Sequence, residues 1–149
     1  MTITSAQDTY TTIYLIRHAE KADTSADTHL SEAGKERAVR WMEYLVANRI
    51  QAIYTTPYNR TRETAQPLAD ALNMKPIEYS PRDMDLAAII KKHENSAVLI
   101  VGHSNTIPGY INRLTGKDEY SDIPEDEFGR LYMVNVENGK VIDIQIEEL

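Results

Sequence analysis

The stretch TTIYLIRHAEK, Thr11 to Lys21, sets a short run of β-branched, aromatic and aliphatic residues directly against an arginine, a histidine, a glutamate and a lysine. Thr11 to Ile16 suits a buried strand, and the polar groups that follow would stand at its carboxyl end. Outward from it, Ser31 is placed to cap a helix in which Ala38, Trp41, Met42 and Leu45 recur at helical spacing. Gln51 to Thr55 reads as a second strand, followed by a helical stretch from Asn59 to Leu72 that Pro67 is expected to kink or split. Pro76 to Tyr79 is a weak third strand, and Asp83 is the expected cap of a helix running through Lys92. Ala97 to Val101 carries the strongest buried-strand pattern, after which Ser104 opens a helix that stops at Gly116.

Strands that alternate with helices pair in parallel and carry helices on both faces of the sheet. The C-terminus breaks the pattern. Leu131 to Val136 and Val141 to Ile146 flank Asn138-Gly139, a pair suited to a type I′ hairpin turn. The expected architecture is a single three-layer α/β/α domain over residues 11–149, mostly parallel in its central sheet, with a C-terminal antiparallel hairpin. Residues 1–10 read as a flexible lead-in.

Composition narrows the function. The 149 residues are 42% hydrophobic, the size of one domain. With 16 Lys and Arg against 23 Asp and Glu, the formal charge is −7, which argues against nucleic acid as a partner. An anionic ligand would need a local cluster of cations. The absence of cysteine removes thiolate metal sites and thiol nucleophiles. No apolar run approaches the ~20 residues of a bilayer span, so a soluble chain without a membrane partner is expected. Met1 to Thr12 lacks the basic and apolar regions of a secretory signal, which makes a cytoplasmic location the default.

In open α/β sheets, ligands bind beyond the carboxyl ends of the strands. Arg17 and His18 follow the first strand, Arg60 follows the second, and His103, Ser104 and Asn105 follow the strand at Ala97 to Val101. Paired arginines match phosphate oxygens with planar donors. A neutral imidazole is a competent nucleophile that can carry a phosphoryl group. A protonated second histidine and the Ser104 and Asn105 amides would add donors. This set needs no metal or cofactor, and none is expected. Taken singly, each residue has a plainer reading as a structural histidine or a surface arginine, and only their joint placement carries the inference. His29 and His93 lack that placement and read as solvated, and of Arg60 and Arg62, both on the second helix, at least one reads as solvated.

The segments LIRHAEK (Leu15 to Lys21), YTTPYNRTRETAQPLA (Tyr54 to Ala69) and VLIVGHSNT (Val98 to Thr106) occur in the order of three signature blocks. In them the chain resembles the histidine phosphatase superfamily, also called phosphoglycerate-mutase-like, and LSEAG (Leu30 to Gly34) falls where that family's first helix begins. The small bacterial histidine phosphatases resemble it most in length. The resemblance implies a phosphatase in which His18 is phosphorylated and Arg17, Arg60 and His103 hold the phosphoryl group. By the family's spacing the second-block arginine is Arg60, not Arg62. Larger members carry an acidic proton donor between the second and third blocks, where Glu78, Asp83 and Asp85 lie, and Asp83 is the candidate. The expected substrate is a small phosphate monoester or, as an alternative, phosphohistidine in a partner protein. A rival from another class is a non-catalytic phospho-ligand or protein-binding module on the same fold, against which the four intact core groups count. A mutase is disfavoured, since 149 residues leave no room for the insertions that shield the phosphoenzyme.

Overall fold

The computed structural model describes residues 8–149. Most of the lead-in expected over 1–10 therefore lies outside the described residues. Its end does not: Thr9 exchanges main-chain and side-chain hydrogen bonds with Asn138 at 2.9 Å, and the first strand begins at Tyr10.

Ten elements follow in the order β1 (Tyr10–Arg17), α1 (Glu32–Leu45), β2 (Ile50–Thr55), α2 (Asn59–Ala71), β3 (Ile77–Glu78), α3 (Leu86–Lys92), β4 (Ala97–Gly102), α4 (Ile107–Thr115), β5 (Arg130–Glu137) and β6 (Lys140–Glu148). One six-stranded sheet holds them in the order β3-β2-β4-β1-β5-β6. β1 to β4 are mutually parallel, whereas β5 pairs antiparallel with β1 and β6 with β5. This is the expected α/β architecture. Among the described residues no helix is long and apolar enough to cross a membrane.

The central strands are apolar on both faces because both faces are covered. Ile13 and Leu15 of β1 meet Val98 and Ile100 of β4 on the side of α3 and α4, with Leu86, Ile107 and Ile111. Tyr14 and Ile16 meet Leu99 and Val101 on the other side, under Trp41 and Leu45 of α1 and Leu68 of α2. Burying each such large aliphatic side chain stabilises by about 1.5–3 kcal/mol.

The N-terminus of α1 is stapled to the end of β1. Ser31 Oγ accepts the Gly34 N–H at 3.1 Å, the expected cap. The Glu20 carbonyl accepts the Ser31 N–H at 2.9 Å, and the Glu20 carboxylate takes both Nε and Nη2 of Arg37. The approach is so close that a Cβ on Gly34 would stand 2.3 Å from the Glu20 carbonyl oxygen. At the hairpin, Asn138 and Gly139 have φ of 52° and 78°, the two positive values that a type I′ turn requires.

Three boundaries depart from the sequence reading. α2 runs unbroken through Pro67, because Ala65, Leu68 and Ala69 bury a continuous face that outweighs the one hydrogen bond the proline removes. α3 is capped by Asp85 rather than Asp83: Asp85 Oδ1 accepts from Ala87 at 3.0 Å and Ala88 at 3.3 Å. The buried side chains of Met84 and Leu86 fix this register, and Asp83 is left in the preceding turn. α4 starts at Ile107, not Ser104. The His103 carbonyl accepts from both Thr106 and Ile107, closing a separate turn over Ser104 to Thr106 before the helix.

Replacing Gly34 with alanine should lower stability by about 1–3 kcal/mol in urea unfolding, the usual range for an overpacked site. Gly109→Ala, in α4 where an added Cβ meets nothing within 4 Å, should be neutral or stabilising. Equal effects at the two positions would refute the close approach at Glu20.

Candidate active site

The carboxyl ends of β1, β2 and β4 share one rim. The parallel register sets Arg17 opposite Gly102, and the His18 N–H continues it with a 2.9 Å bond to the Gly102 carbonyl. His18 and His103 are thereby brought side by side, ring centroids 5.5 Å apart. With Arg17 and Arg60 they line a cavity of about 250 Å³, whose wall also includes Lys21, Ser104, Asp122 and Glu125. A larger groove of about 490 Å³ between α1 and α2 contains no arginine.

His18 is 4% exposed. Its Nδ1 lies 2.8 Å from the Ala19 carbonyl, which can only accept, so Nδ1 carries the proton and Nε2 keeps its lone pair. Burial, reinforced by Arg17, His103 and Arg60, pushes the imidazole down to about 3. It is a neutral imidazole at neutral pH, with the Nε2 lone pair free. His103 is pushed down to about 4 by burial and then by Arg60 and Arg17, so it offers one ring N–H rather than the two of an imidazolium.

Buried threonines fix these groups. Thr64 Oγ1 accepts the Ala19 N–H at 2.8 Å and donates to the Arg60 carbonyl at 2.6 Å, tying the His18 turn to α2. Thr56 Oγ1 lies 2.9 Å from His103 Nε2 and 2.8 Å from Thr61 Oγ1, which sets the orientation of the second ring. Arg60 stacks over Tyr58 at 4.6 Å and donates to the Ala26 carbonyl.

Arg17 is 3% exposed. Its Nη1 donates to the carbonyls of Glu125 and Glu127 at 2.9 Å and of Pro124 at 3.3 Å, and Phe128 covers the guanidinium at 4.1 Å. Its buried Nε has no partner among the described residues.

Arg17, His18, Arg60, His103 and Ser104 thus converge as the sequence implied. Asp83 does not: it is exposed in the turn before α3 and lines no part of the cavity, whose carboxylates are Asp122 and Glu125. Arg62 is also elsewhere, paired with Glu78 at 2.5 Å. His29 is exposed as expected but pairs with Glu63, whereas His93 is half-buried against the Tyr54 hydroxyl at 2.7 Å rather than solvated. Phe128, Tyr58 and the threonines escaped the sequence reading. The only trace of the latter is a run of threonines, Thr55 to Thr64, dense beside a strand end.

Compared with known families, residues 13–87 match the histidine phosphatase superfamily (branch 1). The match spans the first two blocks, and His103 lies beyond it. No curated protein matches the chain. Among solved structures, the chain is similar to a candidate phosphohistidine phosphatase SixA from Agrobacterium tumefaciens, at 22% identity and a TM-score of 0.66 over 90% of this chain and 97% of that one. It is also similar to the phosphoserine phosphatase of Entamoeba histolytica in complex with 3-phosphoglyceric acid, at 15% identity and 0.72 over 93% and 98%. A third likeness is to the protein histidine phosphatase SixA complexed with tungstate, at 16% and 0.67 over 91% and 94%. At these identities the likeness is one of fold.

The two depressed histidines make stability pH-dependent. Both folded values, about 3 and about 4, lie below the ordinary 6.5, so between those limits the unfolded chain binds more protons. Stability should be full above pH 6.5 and fall as pH drops, each histidine adding a slope of about 1.4 kcal/mol per pH unit. Urea titrations from pH 7 to 4.5 check this against the His18→Asn/His103→Asn double variant, which should show a shallower decline. Parallel curves would refute the assigned environments.

Proposed function

As a phosphatase of the histidine phosphatase superfamily, to which the chain belongs, this protein holds two neutral imidazoles amid the arginines of its cavity, and we propose that it hydrolyses phosphate monoesters through a covalent phosphohistidine on His18. The observation that carries this reading is the Nδ1–H bond of His18 to the Ala19 carbonyl, which leaves a neutral Nε2 in a cavity lined by Arg17 and Arg60.

In the first transfer, Nε2 attacks phosphorus, the N–P bond forms, and the bond from phosphorus to the leaving oxygen breaks. Arg17, Arg60, His103 and the Ser104 amide hold the remaining oxygens, where charge is concentrated in the transition state. The leaving oxygen takes a proton from a carboxyl group on the rim, where Asp122 and Glu125 stand. In the second transfer, water attacks phosphorus, the N–P bond breaks, the water proton returns to the carboxylate, and inorganic phosphate leaves. The guanidinium groups occupy the role that divalent ions take in other phosphatases, so metal independence is part of the proposal.

One observation favours the second reading, phosphohistidine in a partner protein. Asp122 and Glu125 are both exposed, and among the described residues the cavity lining includes no buried carboxyl group to serve as donor. An imidazole leaving from phosphorus makes less demand on such a donor than an alkoxide does.

His18→Ala should reduce turnover of p-nitrophenyl phosphate in EDTA to background. Labelled substrate should leave an acid-labile, base-stable adduct on the wild type alone. Substantial turnover by His18→Ala, or wild-type activity that EDTA removes and zinc or magnesium restores, would overturn the mechanism. The same assays decide against a non-catalytic module.

The proton donor is tested by substrate comparison. Asp122→Asn or Glu125→Gln should slow an alkyl phosphate by about 10² to 10⁴ while barely affecting p-nitrophenyl phosphate, whose phenolate departs unaided. Asp83→Asn should leave the ratio of the two rates unchanged. If no rim variant moves the ratio, the phosphohistidine reading gains, and a phosphohistidine peptide should then be the faster substrate.

A further inference from the structure

The segment from Ile123 to Phe128 carries three acidic side chains, Glu125, Asp126 and Glu127. We infer that it is a positioning strap for Arg17, and that Phe128, through the guanidinium it covers, sets which edge of Arg17 meets the phosphoryl group. The inference rests on the reading of the cavity as a phosphoryl site.

A guanidinium has three nitrogens, and here they have unequal fates. Three main-chain carbonyls, those of Pro124, Glu125 and Glu127, converge on Nη1, which has two protons to give. That nitrogen is saturated and unavailable to a ligand. Nη2 lies 3.8 Å from a Glu125 carboxylate oxygen, beyond hydrogen-bond distance, and Nε is buried without a partner among the described residues. The edge left without a hydrogen-bond partner is therefore the one spanned by Nε and Nη2, two parallel donors that match two oxygens of a phosphoryl group once the Glu125 carboxylate gives way. A free arginine side chain would present its nitrogens in any order. This one is committed before the ligand arrives.

Phe128 holds the commitment in place. Its ring lies 4.1 Å from the Arg17 carbon and 6.3 Å from the His18 ring, so it blocks one face of the guanidinium next to the nucleophile. The strap is anchored at both ends of its grip. Ile123 is buried and its N–H donates to the Ser104 carbonyl at 3.0 Å, while the Glu127 carboxylate pairs with Arg130 at the start of β5. One strap thus joins the His103 turn to the Arg17 guanidinium across the cavity.

Phe128→Leu keeps an apolar side chain but removes the aromatic face, and Phe128→Tyr restores that face. Tungstate affinity, by calorimetry, and kcat and KM on p-nitrophenyl phosphate should be measured for the wild type, both variants, Arg17→Ala, and Arg17→Ala/Phe128→Leu, with melting temperatures alongside. Phe128→Leu should weaken tungstate binding about tenfold and lower kcat/KM by about 10- to 100-fold, Phe128→Tyr should stay within about threefold of wild type, and Phe128→Leu should change nothing further once Arg17 is gone. Wild-type behaviour in Phe128→Leu, or the same loss in the Arg17→Ala background, would overturn the strap while leaving the phosphatase reading intact. A wild type that neither turns over nor binds tungstate would remove the reading of the cavity, and the inference with it. Should Phe128→Leu fail to fold, nitrogen-resolved spectra of the wild-type arginines decide: tungstate should move the Arg17 Nε–H resonance, identified by its loss in Arg17→Lys, and an unmoved resonance would overturn the inference.

Discussion

The register of β1 against β4 is the constraint from which the site follows. Pairing Arg17 with Gly102, and carrying the ladder one bond further to the His18 N–H, sets two imidazoles from distant parts of the chain side by side. A slip of one residue would turn Ile13 and Leu15 toward the helices that now cover Tyr14 and Ile16 and point Arg17 to the opposite layer. The register is therefore locked by two cores at once, one on each face of the sheet. The geometry that holds His18 near Arg17 and His103 begins as a by-product of burying aliphatic side chains, and the buried threonines then fix its detail.

An acidic protein holds cations and histidines together here by burying them. Arg17 and His18 are almost inaccessible, and burial first, then the neighbouring charges, keeps both rings neutral. The overall charge of −7 and the cationic cavity do not conflict, because the field at the cavity is dominated by groups a few ångströms away in a medium that screens them poorly. An incoming dianion would reverse part of this balance, favouring protonation of His103 and release of the Glu125 carboxylate from the neighbourhood of Arg17.

Much of this was legible in the sequence. Strands without alternation, the Ser31 cap and Asn138-Gly139 each carry a local signal, and the structure realises each one. The groups lining the cavity were legible because strand ends are where such sheets bind ligands. What was not legible depends on tertiary competition. Asp83 and Asp85 are equally good caps by residue type, and only the burial of Met84 and Leu86 selects Asp85. Pro67 signals a break that the packed face of α2 overrules. The hold on Arg17 is made by carbonyl oxygens, which every residue has, so no choice of side chain could announce it.

The reversed direction of β5 has a topological consequence. Because it runs antiparallel to β1, its amino end lies beside the carboxyl end of β1, and the chain enters the rim of the cavity on its way into the sheet. The parallel strands offer the rim only the connections that leave them; β5 offers one that arrives. Between the end of α4 and Ile123, that arriving connection is held by side chains rather than by a strand: Asn112 Oδ1 accepts the Glu119 and Tyr120 N–H groups at 3.1 and 3.0 Å, and the Tyr120 ring meets Tyr132 of β5. The architecture thus gives the cavity a floor of departing strand ends and one wall of arriving chain, a wall whose position is set by side-chain anchors rather than by the sheet ladder.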